Sequence, residues 1–237
     1  MTGPVLAATV AAPSALSGGD NVIAVGVLLA EFGMFRQALL RDQVRLYAAQ
    51  SALISVLAVV VAATRNLPDL YALAALSFAL KVVIVPVVLR RLLRGIGLMG
   101  GDPRWSDIAG SGALGLASTV LMAIVVAAFG FFSVARLGIR SPVLPVTALS
   151  VSVAVVLVAF VLMIVRRDVI SQAIGFLSLE NGISLTALVV AAGLPLILEV
   201  AFLFDLLVVA VVFGLLIRVH HGRTDSMSTA DLTGLRG

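Results

Sequence analysis

Five side chains able to carry a charge or a proton fall inside long apolar stretches of this 237-residue chain: Glu31, Lys81, Glu180, Glu199 and Asp205. At the centre of a bilayer such a group costs on the order of 3 kcal/mol, so it persists where something uses or neutralises it. Lys81 is the only lysine and stands mid-run, with Pro86 five residues later. Proline withholds a backbone N–H about one turn from the lysine and can kink the helix there. A desolvated lysine beside a carboxylate can give up and regain its proton, which is relay chemistry. The plainer alternative is a salt bridge made for packing alone.

Glu180 is equally central in its run. At about 100° per residue, Ser184 lies about 40° from it, Asn181 about 100° and Ser178 about 160°. One side of this helix is therefore polar where lipid tolerates it least. The other side offers Gly175 and Gly182, seven residues apart, which let a neighbouring helix approach closely. Glu199 and Asp205 share the last run, about 9 Å apart along the axis and about 120° around it. Glu199 is near the outer end and can reach water. Asp205 cannot, and its expected partners are Glu180, through water, or Lys81. Glu31 has Arg36 and Gln37 within two turns and is expected to pair locally, outside any relay.

Much chemistry is excluded. There is no cysteine, so thiolate catalysis and cysteine-ligated Fe–S or Ni–Fe centres are absent from the chain itself. The two histidines, His220 and His221, are adjacent and follow the last apolar run. No phosphate-binding glycine loop, metal-spaced cluster or nucleophile–base pair occurs. Serines and threonines are scattered through the runs, where such residues commonly bond their own helix.

These residues must be positioned by membrane helices. Hydrophobic residues make up 61% of the chain and charged ones 12%, with a mean hydropathy of +1.19, which excludes an ordinary soluble domain and disorder alike. Seven runs are long enough to cross a bilayer: Asn21–Leu40, Gln43–Thr64, Asp69–Leu92, Gly112–Ala135, Pro142–Val165, Val169–Ala192 and Leu196–Arg218. Arg65-Asn66-Leu67-Pro68 and Gly193-Leu194-Pro195 are typical of the turns between them. The predicted fold is all-α and polytopic. Residues 1–20 precede the first span, 21–135 form a four-helix region, 136–221 a three-helix region, and 222–237 a polar tail.

Twelve arginines lie in the tail and in the loops after spans one, three and five, Arg166 and Arg167 among them; three, Arg65, Arg136 and Arg140, lie opposite. This bias predicts an outside N-terminus and a cytoplasmic C-terminus, and it assigns the basic residues to topology rather than to nucleic acid. Tyr47 and Tyr71 are expected at the membrane interfaces, near span ends.

The segment Ile174-Gly175-Phe176-Leu177-Ser178-Leu179-Glu180-Asn181-Gly182-Ile183, then Gly193-Leu194-Pro195-Leu196-Ile197-Leu198-Glu199 and Phe204-Asp205-Leu206-Leu207-Val208, resembles the hydrogenase-4 membrane component E family. Lys81 with Pro86 and Arg90-Arg91, and Arg45-Leu46-Tyr47-Ala48-Ala49-Gln50, are similar to the same family. Spans five to seven are also similar to the NuoK subunit of complex I, with Arg166-Arg167-Asp168 at the start of span six. The resemblance implies a plasma-membrane subunit that lacks catalytic residues of its own, in an oxidoreductase complex. Antiporter-like membrane subunits and a cytoplasmic hydrogenase or dehydrogenase arm would be its partners, with Ni–Fe and Fe–S centres on the latter. It also implies a lateral proton path through membrane carboxylates. Here Glu180 falls one turn later than the simplest ungapped alignment gives, and span seven offers both Glu199 and Asp205.

Three functions follow from the sequence. The first is proton translocation through Lys81, Glu180 and either Glu199 or Asp205, supported by Asn181, Ser184 and Pro86. The second is a structural anchor between the arm and the antiporter-like subunits. The third is a stand-alone transporter, which the lack of a convincing internal repeat disfavours.

Overall fold

The computed structural model describes residues 15–36, 39–95, 115–136, 146–166 and 168–190, with Leu207 and Gly214. Apart from Leu207 and Gly214, span seven, with Glu199 and Asp205, lies outside the described residues, as does the 222–237 tail. What is described is all-α. The helices are α1 (Ala15–Arg36), α2 (Leu40–Arg65), α3 (Pro68–Ser77), a π-helical segment (Phe78–Ile84), α4 (Val85–Gly95), α5 (Leu116–Arg136), α6 (Val146–Val165) and α7 (Val169–Val190). Among the described residues, five stretches are long and apolar enough to cross a membrane: Leu40–Arg65, Pro68–Arg91, Ala117–Arg136, Thr147–Val165 and Ile170–Val190. They coincide closely with spans two to six.

The first span is displaced from its expected position. Its helix runs from Ala15 to Arg36 rather than from Asn21 to Leu40. Ser17, Gly18, Gly19 and Asp20, read as a separator, lie inside α1. The next helix takes over at Leu40, because Asp42 in its first turn complements the helix dipole and pairs with Arg45 at 2.8 Å.

Local chemistry explains the other boundaries. Asn66 ends α2 in the left-handed conformation (φ 51°), with its N–H and that of Leu67 both returning to the Ala62 carbonyl. Asparagine tolerates this geometry, and Pro68 then opens α3 where a missing N–H is harmless. Pro86 produces a change of winding. The turn before it widens into the π-helix, in which the Val85 N–H reaches back five residues to Leu80. Local π adjustment is one way a membrane helix re-satisfies the backbone groups that proline leaves free. Lys81 lies within this widened segment and is buried.

Helices α1, α2, α7 and α6 form a ring of four, each packed on the next, with α1 closing against α6. On the outside of the ring, α5 packs against α6, while α3, the π-helix and α4 pack against α2. The most extensive packing is of α6 on α7, and it is α6 that occupies the Gly175 and Gly182 face expected to admit a close neighbour. A methyl group at Gly182 would stand 2.7 Å from Val156 Cγ2 and 3.0 Å from the Val156 backbone nitrogen, and one at Gly175 would stand 2.8 Å from Met163 Cγ. The outer face of α5 exposes Leu121, Ile124, Val125, Phe129 and Phe132. Such a face suits acyl chains and not water.

Candidate functional site

The polar residues of α7 fall into two stripes. Residues seven apart on a helix return to nearly the same direction, so Ser171 and Ser178 face one way, together with Asn181; Glu180 and Ser184, four apart, face another. The first stripe meets α2 and α1. The second meets the π-helix.

On the π-helix side, Lys81 forms an ion pair with Glu180, and both side chains are almost wholly buried. Lys81 Nζ also donates to Ser184 Oγ at 3.0 Å, and the Ser184 hydroxyl donates to Glu180 Oε1 at 2.8 Å. Glu180 Oε2 has no protein partner. The sequence-predicted residues Lys81, Glu180 and Ser184 therefore meet in one place, 99 residues of sequence being bridged by the ion pair. A salt bridge so placed can hold two helices together, and it can exchange a proton between its members.

On the other side lies a site that the sequence reading missed. Glu31 does not pair locally with Arg36, and Gln37 lies outside the described residues. It is completely buried between α1, α2 and α7. Gln50 Nε2 donates to its Oε2 at 2.8 Å, and the Ser178 hydroxyl lies against the same oxygen. Gln50 Oε1 in turn accepts from Ser178 at 2.9 Å and from Asn181 Nδ2 at 3.0 Å, and Asn181 Nδ2 also reaches Ser51 Oγ at 2.9 Å. Glu31 Oε1 is left without a protein partner. The local-pairing expectation failed because Glu31 lies on the inner face of α1, whereas Arg36 ends that helix exposed.

Tyr47 belongs to the same seam. Expected at an interface, it is instead fully buried, since it shares a face of α2 with Gln43 and Gln50; Tyr71 is exposed. Gln43, Tyr47, Gln50 and Ser51 recur at intervals of four, three and one, which is one stripe of a helix. That stripe of polar residues within an apolar run was the available signal, and it matches the Ser171, Ser178 and Asn181 stripe of α7.

Where α1 and α6 end and α2 and α7 begin, the ends are tied by polar groups. Arg166 is buried and donates to the carbonyls of Phe35 at 2.8 Å and Met34 at 3.4 Å, capping the C-terminus of α1. Its role thus exceeds that of a charge marking a loop. Burial pulls its guanidinium below the ordinary value, and Asp168 opposes that pull. Asp168 caps α7, accepting from the Ser171 N–H at 2.6 Å. Burial pushes its carboxyl up, against the hydrogen bond from Ser171 and the charge of Arg166. Next in depth, Ser171 Oγ donates to Gln43 Oε1 at 2.9 Å. Other hydroxyls do bond their own helices, as Ser55 to Ser51 and Thr64 to Val60. Among the described residues, no three of His, Cys, Asp and Glu come together as a metal site would need.

No family model matches the chain, and no solved structure matches it. It is 30% identical over 191 residues to uncharacterized protein Rv0085 of Mycobacterium tuberculosis, an alignment that covers 81% of this chain and 84% of that protein. With likeness of that degree over most of both lengths, this chain belongs to the same family as the mycobacterial protein.

Proposed function

We propose that this chain is a membrane subunit of a hydrogenase-4 or complex-I-like assembly, and that it carries protons whose movement is coupled to redox chemistry on partner subunits. The observation that carries this reading is the buried Lys81–Glu180 pair on a π-helical segment, mid-way along two apolar helices. Single-turn π features are frequent at functional sites, and ionisable groups at such depth mark proton or ion paths. The chain would cross the plasma membrane seven times with its N-terminus outside, following the arginine bias. Span seven would supply a further carboxylate, Glu199 or Asp205. Ni–Fe or Fe–S centres would sit on a cytoplasmic hydrogenase or dehydrogenase arm, with antiporter-like subunits alongside in the bilayer.

A structural reading is favoured by one observation: the same ion pair ties the π-helix to α7 and would serve as a clamp without moving a proton. The double variant Lys81→Met with Glu180→Gln separates the two. It removes both charges together, and so avoids stranding either one in the interior. In the assembled complex, proton movement should be lost while electron transfer from the arm to an artificial acceptor continues. Normal proton movement in that variant would leave the clamp as the role of the pair.

A further inference from the structure

The two polar sites described above meet on α7, at the neighbouring residues Glu180 and Asn181. Ordered from the end where α7 begins, the buried side chains on the α2–α7 seam are Asp168; Gln43 with Ser171; Tyr47; Glu31 with Gln50 and Ser178; and Ser51 with Asn181; at the depth of Asn181, but turned toward the π-helix, stand Glu180 and Lys81 with the half-buried Ser184. From Asp168 to Glu180 is about 18 Å along α7. Four buried side-chain polar atoms among the described residues have no protein partner, Asp168 Oδ2, Glu31 Oε1, Asn181 Oδ1 and Glu180 Oε2, and Tyr47 Oη has at best Ser51 beside it. Every one of them is on this seam or on the neighbouring Glu180. Scattered orphans would be unremarkable; a set confined to α7 and the helices packed on it requires a common explanation. Buried polar atoms are satisfied by protein or by internal water.

We propose that the α2–α7 seam is a proton-uptake path of side chains and internal water, leading from Asp168 to the Lys81–Glu180 pair, and that Glu31 is its intermediate proton carrier. This rests on the reading of Lys81–Glu180 as a relay and adds to it the side from which that relay is loaded. Glu31 qualifies by its surroundings. Its partners, Gln50 and Ser178, are neutral, and an unbalanced carboxylate without a cation is costly at this depth. The acid form carries the proton without that cost. In the transfer step the O–H bond of the Glu31 acid breaks and its proton passes, through intervening water, to the Glu180 carboxylate. Glu31 becomes the carboxylate and Glu180 the acid, so total charge within the seam is unchanged. A proton arriving past Tyr47 from the Asp168 end then restores Glu31. Gln50 is the positioning residue: it holds Glu31 through its amide nitrogen and Ser178 and Asn181 through its amide oxygen.

Infrared spectroscopy of the purified full-length chain in lipid tests this through the carbonyl stretch of protonated carboxylic acids, which shifts in deuterated water. Glu31→Gln should abolish one such band. Tyr47→Phe should keep the band and slow its deuterium exchange. Should Glu31→Gln fail to fold, Ser178→Ala removes a hydrogen bond from the same carboxyl and should displace the band, whereas Thr64→Val, on the exposed end of α2, should not. A full set of bands after Glu31→Gln, or, where that variant does not fold, a band that Ser178→Ala does not move, would overturn the carrier. Unaltered exchange in Tyr47→Phe would overturn the path. Proton movement that survives loss of Lys81 and Glu180, with the Glu31 band present and sensitive, would fell the relay while leaving the uptake site standing.

Discussion

The two carboxyls that α7 helps to bury are balanced by different means. Glu180 faces a full positive charge on Lys81 with a serine in support, whereas Glu31 faces an amide and a hydroxyl. Both sites share one helix, and Asn181, beside Glu180 in sequence, belongs to the Glu31 network. The contrast teaches that depth alone does not dictate how an acid is tolerated. A charge-balanced site depends on both partners being ionised and fails when one is removed. A dipole-balanced site depends on the acid's neighbours and tolerates loss of the charge itself. Under the proposed uptake path, a proton passing from one arrangement to the other would leave their total charge unchanged.

The largest expected effect separates them most sharply. Lys81→Met strands the Glu180 charge, and removing one partner of a buried pair costs about 3–5 kcal/mol. Adding Glu180→Gln should recover most of that loss. Equilibrium unfolding of the purified chain in detergent would read both. If the single variant is as stable as the double one, the pair is not ionised in the folded chain and the charge-balanced half of the comparison collapses.

Gly182 tests whether the two sites depend on a common backing. A methyl group there would meet Val156, including its backbone nitrogen, so a larger residue must push α7 off α6. Gly182→Val should cost about 1–3 kcal/mol through overpacking. Because α7 carries Glu180 and Asn181 together, it should also disturb the Lys81 pair and the Glu31 infrared band at once. A change confined to one of them would mean that the sites are positioned independently.

Within the dipole-balanced site, the neighbours should matter more than the acid. Gln50→Leu removes one donor to Glu31 and the acceptor of Ser178 and Asn181, and unsatisfied buried groups cost about 1–3 kcal/mol. Glu31→Gln keeps shape and hydrogen-bonding capacity, and its effect on unfolding should stay below about 1 kcal/mol. The reverse order would show that Glu31 is ionised and that its charge is what the neighbours bind.

How much of this was legible beforehand follows from the physics of each element. Spans two to six could be read from apolar length, and the Lys81–Glu180 meeting could be anticipated because each charge needs a partner at matching depth. That some helix packs closely on the Gly175 and Gly182 face of α7 followed from glycine spacing, while its identity as α6 came only from the fold. Three features were hidden. The start of α1 was obscured because Gly18 and Gly19 look like a separator, yet the helix runs through them. Glu31 was misread because sequence neighbours offer an easy partner, and only tertiary packing shows which face of α1 points inward. The Tyr47 error is of the same kind: a tyrosine near a span end suits an interface equally well. The π-helix was half legible. Pro86 signalled a disturbance one turn upstream, but a kink and a widened turn both relieve a missing N–H.

Asp168 provides a third way of holding a buried carboxyl, by a backbone N–H at a helix start, and it lies outside the spans where pH can be varied directly. Burial is the larger influence on it and raises its proton affinity; the Ser171 N–H and the Arg166 charge draw it part of the way back. The sign of the pH effect follows. With a folded value above the ordinary 3.8 of the unfolded chain, the folded chain holds this proton more tightly than the unfolded chain does. The resulting contribution is fully present below that pH and is lost as pH rises through the raised folded value. Asp168→Asn keeps a side chain that caps helices about as well, so the cap itself should survive, while Asp168→Ala should cost about 1 kcal/mol at any pH. The expected result is a difference in unfolding temperature between the native chain and Asp168→Asn that favours the native chain most in acid and shrinks as pH rises. A difference that instead grows with pH would mean that the ionised form is the better bound, and that backbone and Arg166 together outweigh burial at the start of α7.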